Sequence, residues 1–443
     1  MPRHARLLLV VAFIAPTLAA AQSLPRASLA LGADAIGVVT RVSPAVEGRD
    51  LTEGYLTQPV LMAHATLLGG AVVLRATLDG EGRTIRRGEL TAGAYGEGYV
   101  DRRHPHTYVH ELLASLATPA VSLGGIGAAR ASVTGGKGFA PFGTDDPMAR
   151  PFVKYPVNHH LSQILERAIV VGALRVGPVA VEGGVFDGDE PEGPADAPNA
   201  RRFGDSRAAR VTVRAHRGGG AFELQGSAAH VASPEIPTGG GADQTKWSTS
   251  LRYERDAAVG GTHDMPGMPG MPDMPAADDA ATSRRAVVLR YALAELALTR
   301  EGVSGSIARP FRYPSLLGEA EVLLWRGRGT VALRVERTVR PEEERLIDPF
   351  RSTRPPTDLS ILGRTRWDIV TAHVATRAIT RAGLRATPFV EVARAHAIEE
   401  DRPSLFQPSL FYGAATQWHL SAGVRVGIGM RHGRMGRYGV AAW

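Results

Sequence analysis

Between Glu166 and Asp187 the chain reads ERAIVVGALRVGPVAVEGGVFD, and past Gly177 and Pro178 it alternates: Val179, Val181, Gly183 and Val185 in one register, Ala180, Glu182, Gly184 and Phe186 in the other. Period two is the signature of a half-buried strand. The preceding segment, about 166–175, joins it through a turn of two or three residues, so the unit predicts an antiparallel hairpin. The pattern recurs along the chain with polar connections between, and no long helical segment interrupts it. Past residue 21, nothing approaches the roughly 20 apolar residues of a spanning helix. If these hairpins cross a membrane they do so as a closed barrel, because an open sheet edge leaves backbone groups unsatisfied in hydrocarbon.

Arg3, His4 and Arg6, the apolar run Leu7–Ile14 and the small residues Ala19, Ala20 and Ala21 predict a secretory signal peptide over residues 1–21. Residues 22–59 read as an N-terminal periplasmic lead-in and 60–443 as the barrel. That length exceeds what one soluble core usually organises, yet no linker divides it; a single large barrel satisfies both facts. The chain has no cysteine, which excludes disulfide staples and thiolate metal sites. Its formal charge is +7, and the lysines are only Lys137, Lys154 and Lys246, so nearly all the positive charge is arginine. Arginine-rich coding accounts for this, and so does a basic lumen that draws anions. The charges are spread among acids with no aromatic-interleaved basic patch, so a nucleic-acid partner is not expected.

Strand-like segments fall at about 60–68, 71–78, 87–99, 108–117 and 121–132, and, after the hairpin at 166–187, at 207–215, 221–231, 245–255 and 286–298. A second clear hairpin spans 319–337 about Gly327, Arg328 and Gly329, followed by 361–376, 384–397, 407–413, 416–428 and 435–443. The expectation is an all-β fold, an antiparallel transmembrane β-barrel of about 16–18 strands with long outer loops. The long connections after Ser132, Phe186, Val231, Leu298, Thr338 and Ala397 share one end, and the short turns at Gly177, Gly218 and Arg328 the other. In this layout the chain resembles the porin-like barrels of bacterial outer membranes. The resemblance implies the outer membrane of a Gram-negative-type bacterium, contact with its lipid, and passive diffusion of small hydrophilic solutes, anions among them. Trp443, an aromatic ending the expected last strand, resembles the signal read by barrel-assembly machinery. Against this stand only 12 Phe, 5 Trp and 10 Tyr, thin for two interfacial girdles, so a secreted β-sandwich or β-helix is the alternative.

The face opposite the outward valines is assigned Glu182, Arg214, Glu223, Arg334, Glu336, Arg366, Glu391 and Arg425 as pore-lining residues. A charge facing mid-membrane lipid costs roughly 2–4 kcal/mol, so these groups should meet water or one another. They either set a field across a pore or hold the wall as ion pairs. The connection 135–163 carries Phe139, Phe142, Phe152 and Tyr155, prolines at 141, 147, 151 and 156, and the polar groups Asp145, Asp146, Lys154, His159 and His160. It is expected to fold inward as a constriction, with an ordered external cap as the alternative.

The segment His263–Met274, HDMPGMPGMPDM, spaces Met265, Met268, Met271 and Met274 three apart. Thioethers suit Cu(I), and the stretch resembles Met- and His-rich segments of outer-membrane copper-resistance proteins; copper capture is therefore a second functional reading. RRHPHTYVHE places His104, His106 and His110 close in sequence, but Ala114 stands where an HExxH motif needs its second histidine. There is no GxSxG turn, and Gly138 occupies the Ser/Thr position of a phosphate loop. No catalytic residue and no enzyme activity are expected, and a structural or enzymatic barrel without a pore is the third reading. Nothing in the chain specifies an oligomer.

Overall fold

The computed structural model describes residues 27–45, 48–84, 106–144, 146–191, 193–255, 287–303, 309–324, 327–343, 361–401, 407–431 and 433–442. Among them, sixteen strands form the wall. They are β1 (Ser28–Ser43), β2 (Leu51–Leu67), β3 (Val72–Asp79), β4 (Val109–Ala117), β5 (Ala128–Gly138), β6 (Arg167–Val176), β7 (Val179–Phe186) and β8 (Ser206–His216). Then follow β9 (Gly220–Val231), β10 (Asp243–Arg255), β11 (Val287–Gly302), β12 (Phe311–Leu324), β13 (Gly329–Glu343), β14 (Ile361–Thr376), β15 (Leu384–Glu399) and β16 (Thr416–Gly429). Each pairs antiparallel with its chain neighbours, and β1 closes on β16 from Gly32 opposite Gly429 to Ser43 opposite Trp418. The short pieces Val121–Ser122 and Ile379–Arg381 extend hairpins at the rim; β4 pairs directly with β5 and β14 with β15, so neither piece adds a place in the wall.

The outer face decides the surroundings. Leu61, Leu112, Leu174, Leu224, Leu251, Leu296, Leu316, Leu333 and Leu420, drawn from strands all round the wall, are each half or more exposed. In water, such a belt would far exceed the few hundred Å² of apolar patch that a soluble monomer tolerates. In a bilayer it is the lipid face, and the alternate residues inside are polar or charged. The architecture is that of an outer-membrane barrel. Odd-numbered strands mostly end in the longer loops and even-numbered ones in the shorter turns; the long connection between β10 and β11 at the turn end departs most from this. By the usual asymmetry the turn end faces the periplasm.

Three expectations need correction. The lead-in assigned to 22–59 contains β1 and the start of β2. Its alternation is blurred because Ile36 and Val38 face inward among apolar neighbours, leaving both faces of β1 apolar. The segment 407–413 holds a short helix, Pro408–Phe411, instead of a strand. Of the segment 435–443, the described residues 435–442 form no strand: the wall ends with β16, and the described chain beyond it enters the lumen. The segment 87–99 and the leader 1–21 lie outside the described residues.

The core of the protein therefore lies inside the barrel, where wall residues pack on chain segments drawn into it. Phe142, Ile164, Ile169, Phe186, Val231 and Tyr438 form one such cluster. Leu333→Arg, on the lipid face of β13, should destabilise the folded barrel by about 2–4 kcal/mol if it sits near the bilayer midplane. Denaturant unfolding in lipid vesicles measures this directly.

Candidate functional site in the barrel lumen

Residues 139–144 and 146–166, between β5 and β6, fold into the barrel and cross it. The backbone needs partners wherever it leaves water, and wall carboxylates supply many of them. Val153 and Lys154 donate their N–H groups to Glu391 of β15 at 2.9 and 3.1 Å, and Val157 donates to Glu336 of β13 at 2.8 Å. Asn158 Nδ2 reaches Glu295 of β11 at 2.9 Å, and Arg150 lies 3.4 Å from Glu319 of β12. Basic wall groups serve the loop carbonyls: Arg334 donates to Lys154 O at 2.8 Å, Lys246 to His160 O at 2.7 Å and Arg210 to Gly143 O at 3.2 Å. Gly143 sits at φ 69°, where a Cβ would strike the carbonyl of Ser162, so only glycine fits that turn. The loop rejoins the wall at Glu166, which adopts φ 57°, an uncommon conformation for a long side chain.

The second inward segment is the tail after β16, described at residues 430–431 and 433–442. Arg434 grips Glu223 of β9 with both terminal nitrogens at 2.8 and 2.7 Å, and Arg437 adds a third contact to the same carboxylate at 2.8 Å. Arg437 also donates to Thr212 and Gln225, and Arg75 of β3 donates to its carbonyl. Tyr438 joins tail to loop and wall at once, accepting from Phe139 N at 2.9 Å and donating to Glu111 at 2.8 Å. Val440 and Ala441 pack on Ala173 and Ala180 of the β6–β7 hairpin.

Among the residues assigned to the lumen, Glu182, Glu223, Arg334, Glu336 and Glu391 are buried inside the wall, and Arg214 and Arg425 are on the same inward register near the turn end. Arg366 is corrected. It lies in step with the outward Val370 and Val374, and outside the barrel it pairs with Glu400 at 3.2 Å. The sequence assignment is off by one residue, which in a strand exchanges the faces. Asp146, Lys154 and His159 of the inward loop are buried, and His160 sits at its rim, 3.0 Å from Glu190 of the loop after β7. Asp145, and the set His263, Met265, Met268, Met271 and Met274, lie outside the described residues.

Sequence reasoning missed Arg210, Glu295, Glu319, Arg434 and Arg437. The first three alternate with outward apolar residues and were legible in principle. The two tail arginines were not, because Arg437 fell inside the expected strand 435–443 and Arg434 just before it.

No family model and no curated protein matches this chain. Solved structures do resemble it in outline. An anion-selective porin from Comamonas acidovorans has a TM-score of 0.49 at 12% identity, covering 91% of this chain and 100% of that one. OprB from Pseudomonas putida has a TM-score of 0.47 at 10% identity, over 91% and 94% of the two chains. Salmonella typhi OmpF in complex with daunomycin has a TM-score of 0.45 at 10% identity, over 90% and 97%.

Lys154 is enclosed in the loop, and burial pushes its ammonium well below the usual lysine range. Between that lowered value and the ordinary one near 10.4, the unfolded chain binds more protons than the folded one, so stability rises with pH there. Lys154→Met should flatten this alkaline rise, as read from urea unfolding between about pH 7 and 10.

Proposed function

We propose that the protein is a narrow-bore outer-membrane channel for small hydrophilic solutes, with anions preferred. The observation that carries this reading is the arginine content of the inward register at the turn end. Arg130, Arg175, Arg214, Arg252, Arg385 and Arg425 come from β5, β6, β8, β10, β15 and β16, each near the turn end of its strand. Arg130 and Arg175 stand directly opposite each other across β5 and β6. Like charges in that position destabilise a sheet, so a structural role alone explains them poorly. The acids of that end, Asp34, Glu254 and Glu321, are fewer. A mouth with an excess of one sign raises the local concentration of counter-ions. Deeper in, the inward loop and the tail set the bore.

Planar-bilayer conductance of the refolded chain under a salt gradient tests this proposal. Discrete steps with an anion-directed reversal potential are expected, and Arg175→Glu combined with Arg214→Glu should move that potential towards cations. Releasing the tail with Arg434→Ser and Arg437→Ser should raise the single-channel conductance. Silence from both the parent and the tail-released protein, each shown to be inserted and folded, would refute the channel.

Copper capture by the methionine run is a separate reading, favoured by one feature: β10 and β11, which flank it, end at the periplasmic side. Deleting residues 263–274 should lower copper bound per chain if it holds.

A further inference from the structure

At the loop end of the barrel, β3, the residues leading into β4 and the base of the inward loop bring together buried donors that the channel reading does not use. One donor atom each of Asp79, His106 and His110 lies within 4.8 Å of the others. Nδ1 of His110 lies 2.5 Å from Glu166 Oε1 and 3.1 Å from Nδ1 of His106, so that side of the ring is engaged and Nε2 is the ring nitrogen left over. That Nε2 is buried without a hydrogen-bond partner, and so are Oδ2 of Asp79, Oδ2 of Asp146 and Nε2 of His159. Oδ1 of Asp79 already accepts from Glu81 N at 2.7 Å, so only its second oxygen is uncommitted. Asp146 Oδ2 stands 3.7 Å from His110 Nε2, too far for a hydrogen bond.

Several unsatisfied atoms converging in one buried place call for a missing partner, since each alone costs free energy. Charge points to its sign. The carboxyl groups of Asp79, Glu81, Asp146 and Glu166 gather here, and the facing basic groups are His106, His110, His159 and Lys137. We propose that this cluster binds a first-row divalent cation of the zinc class, with Asp79, His106 and His110 as ligands and Asp146 as a further donor. Two imidazoles with a carboxylate suit zinc and its neighbours, whereas calcium and magnesium take oxygen ligands. Glu166 orients the His110 ring from its other nitrogen, the usual support for a metal-bound histidine. Glu166 also receives the Thr107 N–H at 3.0 and 3.1 Å, so the same carboxylate ties the base of the inward loop to the approach of β4. A bound ion would thus pin the inward loop to the wall.

The test uses the full chain, refolded in detergent, stripped with a chelator and dialysed against zinc. One zinc per chain by elemental analysis is expected, with a rise in the thermal transition. Cobalt(II) should give a visible ligand-field band that zinc abolishes. His106→Asn should lose the bound metal while its β circular dichroism stays that of the parent. Glu166→Gln should weaken binding by about 10–100-fold. Folded parent protein that takes up no stoichiometric zinc and gives no cobalt band overturns the proposal, as does unchanged uptake by folded His106→Asn. If the substituted chains do not fold, the parent's zinc stoichiometry and cobalt band decide alone.

Discussion

Everything in this structure depends on the closure of β1 on β16. In hydrocarbon, an unpaired N–H or C=O costs several kcal/mol, and a sheet with two free edges would present a row of them. The pairing of Gly32 through Ser43 with Gly429 through Trp418 removes both edges at once. With the ring closed, the face pattern is set. Residues alternate between lipid and lumen, the leucine belt is held outward, and the glutamates and arginines are turned in.

Closure creates a second problem, which is an interior lined by charges. A buried carboxylate without a partner is costly, and one that is paired and hydrogen-bonded is tolerated. Here the partners are drawn from outside the wall. Glu295, Glu336 and Glu391 accept from the inward loop, and Glu223 is clamped by two arginines of the tail. Loop and wall are therefore mutually dependent: the loop backbone would be unsatisfied without the wall acids, and Glu336 and Glu391, which also pair with Arg334 and His373 of the wall, would lose part of their hydrogen bonding without the loop. Breaking one side of such a pair is typically far more damaging than replacing both. The apolar clusters around Phe139, Met148 and Tyr155, and around Val157 and Trp367, fill the remaining space.

Much of this was legible from residues alone. The strict alternation of 179–186 marked a strand whose inward Glu182 does meet a charge, the guanidinium of Arg210 on the neighbouring strand at 2.6 Å. The inward loop was marked by its aromatic and proline content, which is out of keeping with a solvated connection. The failures have physical causes. Where both faces of a strand are apolar, as in β1, period two fades. Where a residue lies one step off the alternation, as Arg366 does, its face is inverted. A short segment such as 435–443 contains apolar and polar residues in an order that suits a strand and a packed coil equally, and local propensity does not decide between them.

By itself, the sequence determined an all-β chain of amphipathic hairpins, and that a membrane-spanning form of it must be a closed sheet, because an open edge is not compatible with hydrocarbon. It also determined which end bears the loops, through the lengths of the connections. The tertiary structure alone decided what fills the barrel and what meets there. Asp79, the pair His106 and His110, and Glu166, or Glu223 and the pair Arg434 and Arg437, come from distant parts of the chain and meet only through sheet register and the entry of two segments into the lumen. Local periodicity reports which face a residue occupies. It carries no information on which distant residue will stand opposite.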